Sequence, residues 1–306
     1  MNILKSTIPV PKHPKFHLPG LWRDLQKRGK KPELQITSLP SLDRKIWGIT
    51  RQEMVVLAAR TSQGKTALAL QIAWDLASQG KSVVYLSLEM TVTALLERLF
   101  CYSEGIDNSS LLVGKFNDYP EQKASFEKKI EDMPLLITQG LGKNWKEIND
   151  FISLINPKPD CLIMDYIGCI EGGRVDRKVI NDYIYRLRAE AVKHDFAVIL
   201  LSQVNRASII SSDNRGKIPS LEGLKETGAL EEHADKVILL HYPYFYNQNV
   251  DSCKYKIHIA KNRNGRTGVF SVYFDATHYR FIDLERIQED PQVAKAAGIF
   301  GGDVVG

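Results

Sequence analysis

One stretch of the chain strongly limits what it can fold into, because an apolar run, a short polar loop and an alanine-rich run follow one another. The stretch reads VVLAARTSQGKTALALQIAWDLASQG and spans residues 55–80. The first run predicts a buried strand, and the second predicts a helix that ends near Gly80, since glycine commonly follows the last helical residue. A strand, loop and helix in this order predict a parallel α/β sheet.

The length and composition are those of an ordinary globular protein. The chain has 306 residues, of which 43% are hydrophobic and 25% are charged, and this is enough for a large core. No apolar run approaches the roughly 18 residues of a membrane-spanning helix, so we expect no membrane association. The cysteines show no metal-ligand spacing, and we expect reduced thiols and a cytoplasmic location. They are Cys101, Cys161, Cys169 and Cys253.

The distribution of charge and proline predicts three parts of the chain. The first 31 residues carry eight lysines and arginines against one acid, Asp24. We predict a basic, proline-containing N-terminal arm at residues 1–35, a single α/β domain at residues 36–285 and a flexible C-terminal tail at residues 286–306. The stretch LPGLWRDLQKRGKK within the arm predicts a short linker helix. A solvated terminus and a helix that docks on a neighbouring subunit both remain open.

Five short, continuous apolar runs predict strands that are buried on both faces of a sheet. The runs are EMVVLAA, SVVYLSL, DCLIMD, FAVILLS and KVILLHY, with helical patterns between them. One helical pattern, RKVINDYIYRLRAEAVKHD, places four residues on one face: Ile180, Tyr183, Leu187 and Ala191. Near the C-terminus, Asn264 and Gly265 between two β-rich runs predict a hairpin. The predicted fold is therefore α/β, with a mostly parallel twisted sheet flanked by helices and a C-terminal β-hairpin.

The loop ARTSQGKT, which joins the first strand to its helix, has the chemistry of a phosphate-binding loop. Gly64 lets backbone N–H groups close on phosphate oxygens, Lys65 suits the β- and γ-phosphates, and the Thr66 hydroxyl suits Mg²⁺. Ala59 stands where the usual pattern has its first glycine, and a chance GKT in a strand–helix turn is the alternative. The candidate nucleotide-binding residues are Arg60, Thr61, Ser62, Gln63, Gly64, Lys65, Thr66 and Asp165.

Polar residues follow three other predicted strands. They are Glu89 after VVYLSL, Asp165 after CLIM and Gln203 after VILLS. Because the carboxyl ends of parallel strands share one edge of a sheet, we expect these residues to lie near Lys65. Asp165 would join Thr66 in holding Mg²⁺, Glu89 would deprotonate the attacking water, and Gln203 would sense the γ-phosphate. The set predicts hydrolysis of a nucleoside triphosphate.

Several further stretches make the chain resemble the ATPase domain of the DnaB-type replicative helicases. They are SLEM, LIMDY, LSQVNR, LEGLKETGALEEHAD and IAKNRNGRTG, and the resemblance runs from about Leu39 to Asp283. It implies a RecA-like P-loop fold, ATP and Mg²⁺ as cofactors, and ATP-dependent unwinding of DNA. It also implies 5′–3′ movement on single-stranded DNA by a homohexameric ring. Members of the family tend to carry alanine at the position of Ala59.

The resemblance also assigns roles to particular residues. Glu89 would be the catalytic base, and Gln203 would couple the γ-phosphate to nearby loops. Lys261 and Arg263, in KNRNG, would reach the ATP of the adjacent subunit, with Arg263 as an arginine finger. The alternative is that these two are surface cations of the hairpin.

Two basic, glycine-bearing loops follow the Asp165 and Gln203 strands and predict contacts with the backbone of single-stranded DNA. They contain Arg174, Arg177, Arg206 and Lys217. In the family, the segment that matches GLKETG binds single-stranded DNA, which adds Lys225, Glu226 and Gly228. A plain solvated surface is the alternative for these loops.

One departure from the family bears on function. Full-length members carry a helical N-terminal domain and a linker, whereas some 35 residues precede the ATPase domain here, so we expect that domain to be lacking. Contacts with a primase or a helicase loader therefore stay open. A second class of function is a RecA-like ATPase that binds single-stranded DNA or acts as a regulator, and assembles on DNA without unwinding it.

Overall fold

The described part of the chain is an α/β structure in which helices cover both faces of one sheet. The computed structural model describes residues 13–16, 18–27, 32–140, 143–169, 177–204, 219–224 and 227–289. The chain divides into a unit of residues 1–32 and a unit of residues 33–306. In the smaller unit, α1 (Leu18–Lys27) carries exposed Leu18, Leu21, Trp22 and Leu25 side chains.

The larger unit alternates strands and helices. Its strands are β1 (Met54–Ala59), β2 (Val83–Ser87), β3 (Leu135–Gln139), β4 (Cys161–Asp165), β5 (Ala197–Gln203), β6 (Lys236–His241), β7 (Lys254–Asn262), β8 (Gly268–Asp275) and β9 (Arg280–Asp283). Its helices are α2 (Pro40–Ile46), α3 (Lys65–Ser78), α4 (Val92–Glu104), α5 (Asn108–Leu112), α6 (Pro120–Glu131), α7 (Trp145–Leu154), α8 (Arg177–His194), α9 (Thr227–His233) and α10 (Leu284–Glu289). Among the described residues, no helix is long and apolar enough to cross a membrane.

The strands form one sheet in the order β3-β2-β4-β5-β1-β6-β7-β8-β9. The first six strands pair in parallel, and β7, β8 and β9 add an antiparallel extension. This arrangement confirms the predicted mostly parallel sheet and the C-terminal hairpin, which β7 and β8 form. Strand β3 was not predicted, and its side chains are only partly buried because it lies at the edge of the sheet.

The core has one layer on each face of the sheet, because alternate strand residues point to opposite sides. In β1, Val55 and Leu57 join the layer that contains α2, α3 and α4. Met54, Val56 and Ala58 of the same strand join the layer that contains α7, α8 and α9. Strand β1 is therefore buried on both faces, which explains its continuous apolar sequence.

The boundaries and buried face of the long helices follow from the sequence pattern. Gly64 and Gly80 bracket α3 with left-handed φ angles of 78° and 74°. The predicted inner face of α8 is confirmed, since all four of its members are buried: Ile180, Tyr183, Leu187 and Ala191. The α3 helix consequently begins at the carboxyl edge of β1, with its free N–H groups directed at the loop.

Candidate nucleotide site

A pocket of about 160 Å³ opens at the carboxyl edge of the parallel strands, beside the start of α3. Its lining residues are Arg60, Thr61, Ser62, Gly64, Lys65, Thr66, Glu89, Met90, Arg98 and Gln203. The structure thus brings Glu89 and Gln203 together with Lys65 and Thr66, although β4 and β5 lie between β2 and β1.

The loop residue Gly64 has two reasons to be glycine. Its φ of 78° is in the left-handed region, which side chains rarely adopt. A Cβ atom at this position would also lie 2.8 Å from Cζ of Phe281 in β9. The loop is therefore packed against the antiparallel part of the sheet, which fixes its path around the pocket.

A buried carboxylate anchors the start of α3. Lys65 Nζ donates to Asp165 Oδ1 at 3.0 Å, and Thr66 Oγ1 donates to Asp165 Oδ2 at 2.7 Å. The hydroxyl of Tyr85 in β2 also donates to Asp165 Oδ2, at 2.8 Å. Burial raises the pKa of Tyr85, and the neighbouring Asp165 carboxylate raises it further. The Tyr85 hydroxyl therefore stays protonated and remains a donor to this carboxylate.

The same atoms fit a magnesium ion. The Thr66 hydroxyl and the Asp165 carboxylate are adjacent hard oxygen ligands, the type that Mg²⁺ prefers. Within the described residues, no group of three or more His, Cys, Asp or Glu side chains could hold a metal ion. Mg²⁺ that is bound together with a nucleotide usually takes one or two carboxylates from the protein and its other ligands from phosphates and water.

Two residues of the phosphate-binding loop that were predicted to bind nucleotide, Arg60 and Gln63, make other contacts or none in the structure of the described residues. The guanidinium carbon of Arg60 lies 4.8 Å from the centre of the Phe245 ring, and its Nη1 donates to the Tyr246 hydroxyl at 2.8 Å. The Gln63 side chain is buried, does not line the pocket, and its Oε1 accepts no hydrogen bond from the described residues. Of these two residues, Arg60 is the one that lines the pocket.

Lys261 and Arg263 lie at the opposite end of the parallel strands from the pocket, where β6 begins. Strand β7 runs antiparallel to β6, and Lys261 pairs with Val237 near the beginning of β6. The pocket is at the other edge, where β1 and the parallel strands end. The structure therefore does not bring these two cations to the pocket of their own chain.

Hydrogen bonds hold both cations against the end of α9. Lys261 Nζ donates to the Glu231 carbonyl, and Arg263 Nη2 donates to the Glu232 carbonyl at 2.6 Å. Arg263 also forms an ion pair with Asp235 at 3.4 Å. Partial burial lowers the pKa of Lys261, and the nearby Arg263 charge lowers it further.

Most candidate DNA-binding residues lie outside the described residues. These are Arg174, Arg206, Lys217, Lys225 and Glu226. Arg177 is the first residue of α8, and Gly228 lies in α9. Their proposed contacts with DNA stay predictions.

Three residues of the site were not predicted from the sequence, namely Tyr85, Met90 and Arg98. Met90 and Arg98 line the pocket, and the Tyr85 hydroxyl donates a hydrogen bond to Asp165. Tyr85 lies within an apolar run, where nothing marks it as polar. Arg98 lies in α4, which begins at Val92 shortly after Glu89, and this closeness in the chain is the one signal for it in the sequence.

Comparison with known proteins identifies the family. Residues 36–283 match the DnaB-like helicase C terminal domain. The chain belongs to this family. Two replicative DNA helicases cover 86% of the chain: DnaB of Geobacillus stearothermophilus is 28% identical over 281 residues, and DnaC of Bacillus subtilis (strain 168) is 29% identical over 275 residues. The chain spans about 60% of the length of each.

Solved structures agree with this assignment to the DnaB-like family at the level of the fold. A DnaB-like replicative helicase, described together with its interactions with primase, has a TM-score of 0.76 and 24% identity. The match covers 87% of this chain and 67% of that one. The ATPase domain of G40P has a TM-score of 0.78 and 23% identity, covering 90% of this chain and 99% of that one. The predicted fold is thereby confirmed.

Proposed function

We propose that this chain is an ATP-dependent DNA helicase of the replicative DnaB type, which unwinds duplex DNA while moving 5′–3′ along one strand. The observation that carries the proposal is the convergence of Glu89 and Gln203 on the loop residues Lys65 and Thr66 in one pocket. Membership of the DnaB-like family and the names of the relatives support the same function.

The pocket would take ATP with Mg²⁺. Lys65 would leave Asp165 and bind the β- and γ-phosphates, while Thr66 and Asp165 would hold the metal. The N–H groups at the start of α3 would add further donors to the phosphates. When bound, Mg²⁺ neutralises charge on the phosphate oxygens.

Two polar residues at the strand ends would act on the terminal phosphate. Glu89 would orient an attacking water and accept its proton, because it is the one carboxylate among the described residues that line the pocket. Gln203 ends β5 and would transmit the presence of the γ-phosphate to the loop that follows it. Both would work from elements that are fixed in the sheet.

A second subunit would complete the site. Lys261 and Arg263 lie at the edge of the sheet away from their own pocket, so a neighbour placed head to tail could insert them into the next pocket. Arg263 would then stabilise charge in the transition state. Such contacts repeat around a closed ring, and we propose a homohexamer. The exposed apolar residues of α1 would dock on a neighbouring subunit.

The nucleic-acid partner would be single-stranded DNA. The basic loops that follow β4 and β5 would grip its phosphates without reading its sequence. A related helicase structure is described with its interactions with primase, and we propose a primase or a helicase loader as a protein partner of this chain as well.

A forked-duplex unwinding assay tests the proposal. The wild-type chain with ATP and Mg²⁺ should separate the strands, and Glu89→Gln should bind ATP but reduce hydrolysis and unwinding by about 10²-fold or more. Glu97→Gln, on the exposed side of α4, is the matched control and should behave as wild type. If single-stranded DNA stimulates hydrolysis but no strands separate, the chain is an ATPase that acts on DNA without unwinding it. If Glu89→Gln unwinds DNA as fast as the wild type, Glu89 is not the catalytic base.

A further inference from the structure

A buried carboxylate, Asp235, lies beside the arginine that is proposed to act on a neighbouring subunit. Asp235 directly precedes β6, and its side chain accepts a hydrogen bond from the Met54 N–H at 2.8 Å. Its own N–H donates to the Met54 carbonyl, also at 2.8 Å. The carboxylate is therefore fixed to the start of β1, at the end of the parallel strands away from the nucleotide pocket.

Two arginines share this carboxylate unequally. Arg188 of α8 binds both of its oxygens, because Nη1 donates to Oδ2 and Nη2 donates to Oδ1 at 3.2 Å. Arg263 reaches Oδ1 through Nη1 at 3.4 Å. A bidentate arginine–carboxylate pair is the stronger arrangement, so Arg188 occupies most of the bonding capacity of Asp235 and leaves Arg263 with a weak contact.

The other contacts of Arg263 orient its guanidinium without neutralising it. The backbone N–H of Arg263 donates to the Asp235 carbonyl at 2.9 Å, and Nη2 donates to the Glu232 carbonyl at 2.6 Å. A carbonyl oxygen carries no formal charge. The Arg263 side chain is 48% exposed, and its hydrogen bonds to described residues use two of the five N–H donors of a guanidinium. The remaining donors can bind an anion that belongs to another chain.

We infer that Arg188 and Asp235 are positioning residues for Arg263, and that together they hold its guanidinium ready for the nucleotide of the next subunit. The inference rests on the proposed function, because it requires Arg263 to act on another subunit. Without Asp235, Arg263 would lose an anchor and adopt more rotamers, which weakens the alignment that catalysis requires. Without Arg188, the carboxylate would bind Arg263 closely and hold its charge within its own chain.

Steady-state ATPase kinetics of the full chain with Mg²⁺ test this inference. Asp235→Asn and Arg188→Met should each lower kcat by about tenfold, the effect of one charge-assisted hydrogen bond, and change KM by less than about twofold. Arg188→Lys keeps the positive charge and should retain about a third of the wild-type kcat or more. Arg186→Met, which breaks an exposed pair with Asp182 on the same helix, is the matched control and should behave as wild type.

A mixed assembly separates a positioning role from a merely structural one. Arg188→Met, co-expressed with Lys65→Ala and purified through two affinity tags, should rise from about a tenth to about a quarter of the wild-type activity. The rise is expected because the intact pocket of an Arg188→Met subunit then meets the correctly held arginine of a Lys65→Ala subunit. If activity does not rise, Arg188→Met damages its own pocket, and the inference is wrong.

The outcomes distinguish this inference from the proposed function. If Arg263→Ala is inactive but Asp235→Asn and Arg188→Met both keep the wild-type kcat, the inference fails and the proposed function stands. If Arg263→Ala is fully active, action between subunits and this inference fail together. Thermal melting identifies any variant that has lost folded protein. If the buried Asp235→Asn is unstable, Arg188→Met and Arg188→Lys supply the test, since the Arg188 side chain is partly exposed.

Discussion

At the scale of single residues, the phosphate-binding loop depends on a glycine that is constrained twice. Gly64→Ala would place a methyl group at a φ of 78° and 2.8 Å from the Phe281 ring. We expect it to lower the free energy of unfolding by about 2–4 kcal/mol, about 1–2 of which arise from the backbone conformation alone. Urea unfolding measures the loss, and ATP titration should show weaker binding.

Gly80→Ala is the matched control for this prediction. Gly80 has a nearly identical φ of 74°, but a Cβ there would meet nothing within 4 Å. It should lose only the backbone part, about 1–2 kcal/mol. Combining Gly64→Ala with Phe281→Leu should relieve some of the clash. If the two glycine variants lose equal stability, the contact between Phe281 and the loop does not constrain Gly64.

Residue chemistry also decides how much of the site the sequence could predict. Gly64, Lys65 and Thr66 are recognisable because phosphate binding requires those residue types in that order. Asp165 and Gln203 are recognisable because each ends a buried apolar run. Arg98 carries no such mark, since an arginine in an amphipathic helix is usually solvated. Its one signal in the sequence is its place in the helix that follows Glu89, and its contact with the Tyr279 ring of the β8–β9 turn joins residues far apart in the chain.

At the scale of elements, burial on both faces made the central strands predictable. Strands β1, β2, β4, β5 and β6 have entirely or almost entirely buried side chains and therefore nearly continuous apolar sequences. The edge strand β3 reads LLITQ and has no fully buried residue. Its sequence does not differ enough from a partly apolar loop, so only pairing with β2 identifies it as a strand.

A buried ion pair joins several of these elements. Lys236, the first residue of β6, donates through Nζ to Glu53 Oε2 at 2.6 Å and to the Gly48 carbonyl at 2.9 Å. Glu53, which directly precedes β1, also accepts from the Asn264 side chain in the β7–β8 turn at 2.9 Å. The network fixes the amino edge of the sheet, near the cations Lys261 and Arg263.

Breaking this pair from one side should be costly. Lys236→Met leaves the Glu53 carboxylate buried without its counter-charge, and we expect a loss of about 3–5 kcal/mol in the free energy of unfolding. Adding Glu53→Gln removes that charge and should recover more than half of the loss. Lys123→Met breaks an exposed pair with Glu127 and should change stability by less than about 1 kcal/mol. Urea denaturation compares the wild type, the double variant and the single variants Lys236→Met, Glu53→Gln and Lys123→Met. Additive losses in the double variant would refute the coupling.

At the scale of the whole molecule, the sheet separates two halves of the proposed catalytic site. The pocket with Lys65 and Glu89 is at the carboxyl edge of the parallel strands, whereas Arg263 follows β7 at the amino edge. A rigid sheet cannot bring these edges together within one chain. If Arg263 acts on ATP, it must act on the ATP of another subunit, and loss of the two halves should be complementable.

Mixed assemblies test this consequence directly. Lys65→Ala and Arg263→Ala should each lack ATPase activity, but a one-to-one mixture, co-expressed with two affinity tags and purified through both, should regain about a quarter of the wild-type activity. That fraction is expected because a head-to-tail interface completes a site only where an intact pocket meets an intact arginine. Mixing Lys65→Ala with Glu89→Gln should regain nothing, since both changes damage the same half. Thermal melting guards against an unfolded Arg263→Ala, which loses its bonds to Glu232 and Asp235. Full activity of Arg263→Ala alone, or no recovery in the first mixture, would show that the two edges of the sheet do not cooperate between subunits.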